Sequence, residues 1–188
     1  MGIRNKFEKD FLYYASLGHK SRFVDPKIYL NVIGYRKNAS VIDTERTKES
    51  LFLTTQFLRS IFSQKNASIL FINLNEESKS VTNLCALRSI EPFLTKNWSS
   101  GTFTNIIFDH KVDVIFVLGS KSHYFVIQEA NKLNTPVIGL VDSDTNSNMI
   151  SFPIWINDDS TNICHKITSN ISNTIIEIKL LNYGFSCL

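Results

Sequence analysis

The sequence predicts an α/β fold built on a mostly parallel sheet of about five strands, with helices on both faces. Three runs of strand length, residues 69–74, 112–118 and 137–141, are apolar at nearly every position, which indicates strands buried on both sides. Amphipathic segments of helical period alternate with these runs. Near the N-terminus, two shorter apolar stretches around a basic turn predict an antiparallel β-hairpin.

Length and composition are those of a single globular domain. The 188 residues are 43% apolar and 20% charged, and no apolar run approaches the roughly 18 residues that a membrane helix needs. We divide this domain into an N-terminal helix and basic loop at 1–27, an α/β core at 28–182 and a tail at 183–188.

Basic side chains are concentrated in the first third of the chain. The net charge is +3, but residues 1–60 hold 11 basic and 6 acidic side chains, whereas residues 61–188 hold 9 and 11. A basic third on a nearly neutral body predicts a side of the molecule that faces a polyanion.

The N-terminus and the cysteines exclude several other classes. Residues 1–11 lack the apolar core of a secretion signal and contain acidic residues, which transit peptides avoid. The three cysteines, Cys85, Cys164 and Cys187, are far apart and form no C-x-x-C motif. We therefore expect reduced thiols, no metal site and no cofactor.

The N-terminal part is predicted to form a helix, a loop and the hairpin. Apolar residues at helical spacing favour a short helix over 1–14. Residues 18–27 mix glycine and proline with bases and a histidine, a composition typical of an exposed loop. Apolar stretches at 28–33 and 39–42 then form the two arms of the hairpin.

The later helices are placed by their caps and by apolar spacing. Caps are predicted at three helix starts: Asp43 or Thr44, Ser120 or Ser122, and Asp159 or Ser160. A further helix follows a turn at 75–78 and ends before Pro92. A short last strand is predicted at 152–154.

Residues 96–105, K-N-W-S-S-G-T-F-T-N, fit neither a helix nor a strand. Small hydroxyl and amide side chains beside glycine disfavour a helix, and the stretch lacks the alternation of a strand. It is either a turn whose side chains cap local backbone or a surface loop that presents hydrogen-bond donors to a ligand. Composition leaves both interpretations open.

Polar residues follow the predicted buried strands, at the edge where parallel sheets place their sites. Asp142 and Asp144 can hold Mg²⁺, and Glu76, Glu77 and Lys121 loosely match the other groups that such a site needs. The alternative function is therefore a magnesium-dependent receiver, or a small-molecule-binding enzyme, that uses this strand end. Carboxylates that cap turns explain the same residues more simply. The sequence has no G-x-G-x-x-G motif and no complete P-loop.

Four motifs occur in a fixed order along roughly residues 11–180. They are G-H-K-S-R-F-V-D-P-K at 18–27, I-G-Y-R-K-N-A-S-V-I-D-T-E-R-T at 33–47, W-S-S-G-T-F-T-N at 98–105, and a last group made of D-V-I-F-V-L, E-A-N-K-L-N-T-P-V-I-G-L-V-D-S-D and F-P-I-W-I-N-D-D. Together these motifs resemble those of the ribosomal protein S2 family of the small subunit.

The resemblance implies a three-layer, flavodoxin-like domain that is a structural constituent of the small ribosomal subunit and not an enzyme. It implies binding to small-subunit rRNA and to neighbouring ribosomal proteins, with no membrane partner and no homo-oligomer. The positions that would face RNA are His19, Lys20, Arg22, Lys27, Arg36, Lys37, Asn38, Lys96, Trp98, Thr102, Thr104 and Asn105. Trp98 can instead belong to the core, because an indole can be buried while its edge bonds a partner.

This chain departs from the family pattern at Asp25, where asparagine is usual, and at Ala39, where glycine is usual. Two further departures separate it from bacterial and plastid members. Those members carry a long helical hairpin after the third motif, whereas only residues 106–112 lead to the next strand here. Ser100 replaces the first glycine of a G-G pair, where a backbone conformation that favours glycine is expected. The missing hairpin, a composition rich in residues with A/T-rich codons and the absence of a transit peptide predict a protein encoded and made in a mitochondrion. A plastid or a reduced bacterium is the alternative source.

Overall fold

The structure, a computed structural model, describes residues 14–64, 67–73, 76–94, 101, 103, 112–119 and 123–183. The strands are β1 (Leu17–Lys20), β2 (Val32–Arg36), β3 (Ala39–Ile42), β4 (Ile69–Ile72), β5 (Phe93–Leu94), β6 (Val114–Val117), β7 (Val137–Val141) and β8 (Phe152–Trp155). The helices are α1 (Thr44–Gln64), α2 (Glu76–Ser89), α3 (Tyr124–Lys132) and α4 (Thr161–Asn182). The helix predicted over 1–14, apart from its last residue, and the thiol of Cys187 lie outside the described residues.

The larger sheet has five strands in the order β5-β4-β6-β7-β8, and each neighbouring pair is parallel. Counted within this sheet, the strand order is 2-1-3-4-5, which is the flavodoxin-like arrangement. The predicted α/β fold, with about five mostly parallel strands and helices on both faces, is confirmed.

Alternate residues of the central strands enter two separate cores. Along β4, Ile69 and Phe71 belong to one buried cluster, and Leu70 and Ile72 belong to the other. The first cluster is closed by α1, α2 and α4, and the second is closed by α3 and by the segment that carries Ile28. Two covered faces explain why these strands are apolar throughout.

A second, smaller sheet precedes the parallel one. Its three strands are antiparallel in the order β1-β3-β2, so the predicted hairpin is present. The prediction that residues 18–27 form an exposed loop is wrong at its start, because β1 pairs with β3. The period-two signal was weak there because L-G-H-K has no apolar alternation.

The first arm of the hairpin is β2 and not residues 28–33 as predicted. Pro26–Asn31 is a 3₁₀ helix, and the carboxylate of Asp25 accepts the N–H of Lys27 at 2.9 Å as its cap. Proline at the first helical position has the backbone angle that a helical turn needs. Ile28 is the one buried residue of this 3₁₀ helix. The same apolar pattern in the sequence also fits a strand.

The three predicted caps have different outcomes. The side chain of Asp43 accepts an N–H of the first turn of α1 at 2.9 Å, so this cap is present. Ser160 occupies the N-cap position of α4 as predicted, but its side chain makes no capping hydrogen bond. His123 precedes α3, so the prediction of Ser120 or Ser122 as its cap is wrong. The histidine ring instead turns back, with Nδ1 2.6 Å from the carbonyl oxygen of Gly119.

Two further differences concern the segment around α2. The helix begins at Glu76, so the turn predicted over 75–78 is wrong from that residue onward. Strand β5 was not predicted, because two residues after a proline are too short to show a period. Within the described part of the chain, no helix has the length and apolarity needed to cross a membrane.

Candidate nucleic-acid interface

The small sheet places two predicted RNA-facing cations on one face. Lys20 of β1 and Arg36 of β2 are both paired with Ala39 of the central strand β3. Side chains of directly paired residues point to the same face of a sheet, so the two cations flank a small alanine. Gly34 of β2 lies two residues before Arg36 and therefore on the same face, and a Cβ added there would meet no atom within 4 Å. The result is a shallow, open face with a cation on each side.

The hairpin tip continues this basic face. Lys37 and Asn38 have φ angles of 48° and 66°, so both central residues of the turn are left-handed. A two-residue hairpin turn with this geometry is type I′, which matches the twist of its strands. The carbonyl of Asn38 accepts the N–H of Ser21 at 2.8 Å, which joins the tip to the short 3₁₀ turn that carries Arg22.

An aromatic ring that sequence reasoning missed lies beside one of the predicted RNA-facing cations. The guanidinium carbon of Arg22 lies 4.6 Å from the centre of the Phe23 ring. Phe23 is about half exposed, at 53%. An exposed aromatic ring beside a cation is suited to stacking on an unpaired nucleobase. The direct succession of arginine and phenylalanine in the sequence was the available signal.

The loop at 96–105 is described at only two residues, Gly101 and Phe103. Both donate their backbone N–H groups to the carboxylate of Glu129 on α3, Gly101 to Oε2 at 3.3 Å and Phe103 to Oε1 at 2.9 Å. Gly101 has a φ of 93°, a conformation that favours glycine. The predicted RNA-facing positions Lys96, Trp98, Thr102, Thr104 and Asn105 lie outside the described residues.

His19 faces a group of aspartates and not the basic face. Its Nδ1 lies 3.0 Å from Asp142 Oδ2, and its Nε2 lies 3.5 Å from Asp159 and 3.8 Å from Asp144. These carboxylates come from the carboxyl end of β7 and from the turn before α4. The remaining predicted site residues of the described region, including Lys27, have exposed side chains.

The cluster of His19 and the aspartates lies where the sequence offers a magnesium site as the alternative function. His19, Asp142 and Asp159 offer ligand atoms that all lie within 4.8 Å of one another. The imidazole already satisfies Asp142, and the backbone N–H of Ser143 also donates to that carboxylate. An ion pair with histidine therefore accounts for the buried aspartate. The side chains of Glu76 and Glu77, and Lys121 as a whole, lie outside what the structure describes.

Burial and neighbouring charges shift the pKa values of His19, Asp158 and Cys164, which lie in or near this cluster. Burial by itself lowers the pKa of His19, but the charges of Asp142, Asp144 and Asp159 outweigh it, so the pKa is raised. Burial, followed by the charges of neighbouring aspartates, raises the pKa of Asp158 to about 7. Burial also raises the pKa of the Cys164 thiol to about 12, which makes it unreactive as a nucleophile.

We predict that Asp158→Asn becomes more stabilising as the pH rises. The raised pKa means that Asp158 favours the folded state below pH 4, and that this contribution is lost as the pH rises through about 7. The gain of the variant over the wild type should grow by about 2 kcal/mol between pH 5 and pH 8. Urea unfolding at both pH values measures it, with the exposed Glu177→Gln as the control. An equal difference at the two pH values would contradict the prediction.

Comparison with known proteins places this architecture in a family. The model of the family described as ribosomal protein S2 matches residues 13–110 and 107–178. The chain belongs to the ribosomal protein S2 family. It is a small-subunit ribosomal protein with a structural role, and the family is not one of enzymes.

Two bacterial relatives show how much of an S2 protein is present. The small ribosomal subunit protein uS2 of Coprothermobacter proteolyticus is 23% identical over 208 aligned positions, which cover 85% of this chain and 77% of the relative. The uS2 protein of Deinococcus radiodurans is 21% identical over 210 positions, which cover 86% and 79%. Both alignments are longer than the 188 residues of this chain, so the relatives contain stretches that it lacks.

The S2 match is divided near the third motif. Its two parts overlap at residues 107–110, between the loop at 96–105 and strand β6. This is the position at which the sequence predicts the loss of a helical hairpin. A division at that point agrees with a deletion there.

Proposed function

We propose that this S2 protein is a structural constituent of the mitochondrial small ribosomal subunit, where it binds small-subunit rRNA and neighbouring proteins. The observation that carries RNA binding is the basic face of the small sheet. Lys20 and Arg36 flank Ala39 on one side of that sheet, and Lys37 extends it at the tip. Lysine and arginine side chains on one face bind phosphates, and the affinity falls as the salt concentration rises. The basic excess lies in residues 1–60.

The mitochondrial location is supported by the short connection between the third motif and β6. The S2 family match is divided at this place, and the alignments with bacterial relatives are longer than the chain. We propose that other proteins of the particle occupy the space of the missing hairpin.

Sedimentation of a mitochondrial extract tests the proposal directly. The protein is expected to migrate with small ribosomal subunits at low salt and to be released as the salt concentration rises. A map of the intact particle would then show the small sheet against rRNA. Migration only as a free protein at low salt contradicts the proposal.

Lys37 offers a variant in which stability and RNA binding change in opposite directions. A left-handed conformation costs a lysine about 1 kcal/mol, whereas glycine adopts it freely. Lys37→Gly is therefore expected to raise the free energy of unfolding by about 1 kcal/mol. It should also weaken RNA binding and lower the salt slope by about one, because one phosphate contact is lost.

The control for this variant is Ile90→Gly. Ile90 follows α2 with a φ of 57° and is 83% exposed, so glycine relieves the same kind of backbone strain at a site outside the small sheet. This variant should gain a similar stability and bind RNA like the wild type. Unfolding by urea and binding to small subunits at several salt concentrations measure both effects. Unchanged binding by Lys37→Gly would remove Lys37 from the interface.

A further inference from the structure

Strand β8 is the outer edge of the parallel sheet, and its backbone offers two groups on the open side. Ile156 donates its N–H to the carbonyl of Val141 on β7. Successive residues of a strand point their backbone groups to opposite sides, so those of Trp155 point away from β7. The carbonyl of Trp155 accepts Thr47 Oγ1 of α1 at 2.6 Å. Within the described part of the chain, the N–H of Trp155 has no such partner, and neither does the carbonyl of Pro153 on the same side.

These two groups are arranged for one residue of an added parallel strand. In a parallel ladder, a residue donates its N–H to the residue before its partner and accepts the N–H of the residue after it. The carbonyl of Pro153 and the N–H of Trp155 are these groups for a residue placed opposite Ile154. Pairing cannot extend further, because Pro153 has no N–H and Thr47 already occupies the carbonyl of Trp155. The edge therefore fits a single residue of an extended segment.

A groove along this edge receives the side chain of such a residue. The groove has a volume of about 320 Å³ and is lined by β8, by the first half of α1 and by Asn31 at the end of the 3₁₀ helix. Residues paired across strands point to the same face, and Ile154 belongs to the first core, which α1 closes. A side chain opposite Ile154 therefore contacts α1, where Leu53 is 51% exposed beside the smaller Ser50. This wall fits an apolar side chain.

The charges of the groove do not favour a nucleic acid. Of the described residues that line it, only Arg46 and Glu49 are charged, and they form an ion pair with 3.2 Å between Nη1 and Oε2. Phosphates are bound by cations that are not already neutralised. Unpaired backbone groups beside a neutral groove with an apolar wall are instead the features by which a sheet edge binds an extended peptide.

We propose that this groove binds an extended segment of a neighbouring protein, which adds one parallel β-bridge to β8 opposite Ile154. The residue that forms the bridge has an apolar side chain, which covers Leu53. The inference rests on the proposed function, because the small subunit supplies the neighbouring protein. It deepens that function by naming a surface for protein contact that uses none of the cations assigned to rRNA.

Amide exchange of the full chain, free and in assembled small subunits, tests the added bridge. The N–H of Trp155 is expected to exchange quickly in the free protein and about tenfold more slowly in the particle. The N–H of Ile156 is the internal control, because its bond to Val141 should protect it in both states. Fast exchange of Trp155 in the particle overturns the inference. Slow exchange in the free protein also overturns it, because the chain itself would then cover the groove.

Two variants of α1 test the apolar wall. Leu53→Gln is expected to weaken binding to small subunits depleted of this protein by about fivefold, because the covering side chain loses its contact. Phe52→Gln is the matched control, since Phe52 precedes Leu53 on the same helix, is 60% exposed and does not line the groove. It should bind like the wild type, and both variants should melt at similar temperatures. Equal binding by the two variants overturns the inference.

A cross-link identifies the class of the partner. Benzoylphenylalanine in place of Leu53 is expected to react with another protein when assembled subunits are illuminated. Reaction with rRNA, with a second copy of this chain or with neither overturns the inference, although the protein is still in the particle. Wild-type protein that sediments only as a free species contradicts the proposed function instead, and the inference falls with it.

Discussion

Replacing Gly18 by alanine is expected to lower the free energy of unfolding by about 3 kcal/mol. A Cβ at this position would overlap Ser40 Oγ and lie 2.6 Å from Ser143 Oγ. These hydroxyls cannot simply rotate away, because each has a partner. Ser143 Oγ accepts the N–H of His19 at 2.8 Å, and Ser40 Oγ donates to the carbonyl of His19 at 3.0 Å. Either β1 must withdraw or these hydrogen bonds must break.

Gly34→Ala is the control for this variant. It adds the same methyl group to the same small sheet, but the new Cβ meets nothing within 4 Å. Its effect on stability should stay within about 0.5 kcal/mol. Urea unfolding of both variants and the wild type gives the comparison. Equal losses at Gly18 and Gly34 would show that the close approach of β1 to Ser143 does not limit stability.

The contacts of Gly18 also explain how the small sheet is joined to the parallel one. β1 meets the carboxyl end of β7 through Ser143, whose carbonyl also accepts the N–H of Asp25 at 2.9 Å. The ring of His19 adds its ion pair with Asp142 on the same side. Loss of this contact should therefore move Lys20 as well as destabilise the chain. Gly18→Ala is expected to reduce subunit binding more than its stability alone accounts for.

The parallel sheet was predictable because burial on both faces leaves a direct trace in the sequence. Every residue of β4, β6 and β7 is buried, and each of these strands is a continuous apolar run. Local signals were weaker at the edges. Strand β5 is only two residues long, and the apolar run from Ile28 has the pattern of a strand although Pro26 favours a helical turn.

The functional surface was less predictable because its contacts join distant residues. His19 was grouped with the basic residues beside it in the sequence, but its ring partner Asp142 is 123 positions away. Glu129 occurs in the motif E-A-N, yet only the structure shows that it bonds the turn at Gly101, 28 residues earlier. Residue type and spacing along the chain carry no direct information on such pairs. The positions of Lys20 and Arg36 on one face likewise follow from the register of β3.

Removing both cations of the small sheet, as Lys20→Gln with Arg36→Gln, is expected to weaken binding to the small subunit by about thirtyfold. Each exposed contact to phosphate contributes about 1 kcal/mol, and two together correspond to that factor. The plot of log affinity against log salt should also become shallower by about two. Stability should change little, because both side chains are exposed. Binding to depleted small subunits at several salt concentrations measures all of these effects.

A control with the same change in net charge decides whether position matters. Arg59 lies on α1 and Arg88 lies on α2, and both helices close the first core. Ile28, which lies beside the small sheet, packs into the second core on the other face of the parallel sheet. Arg59 pairs with Glu177 and Arg88 donates to Asn173, and both of these partners are on α4. If rRNA meets the small sheet, Arg59→Gln with Arg88→Gln should leave affinity within about twofold of the wild type. Equal losses in the two double variants would mean that net charge governs binding, and the small sheet would no longer be the interface.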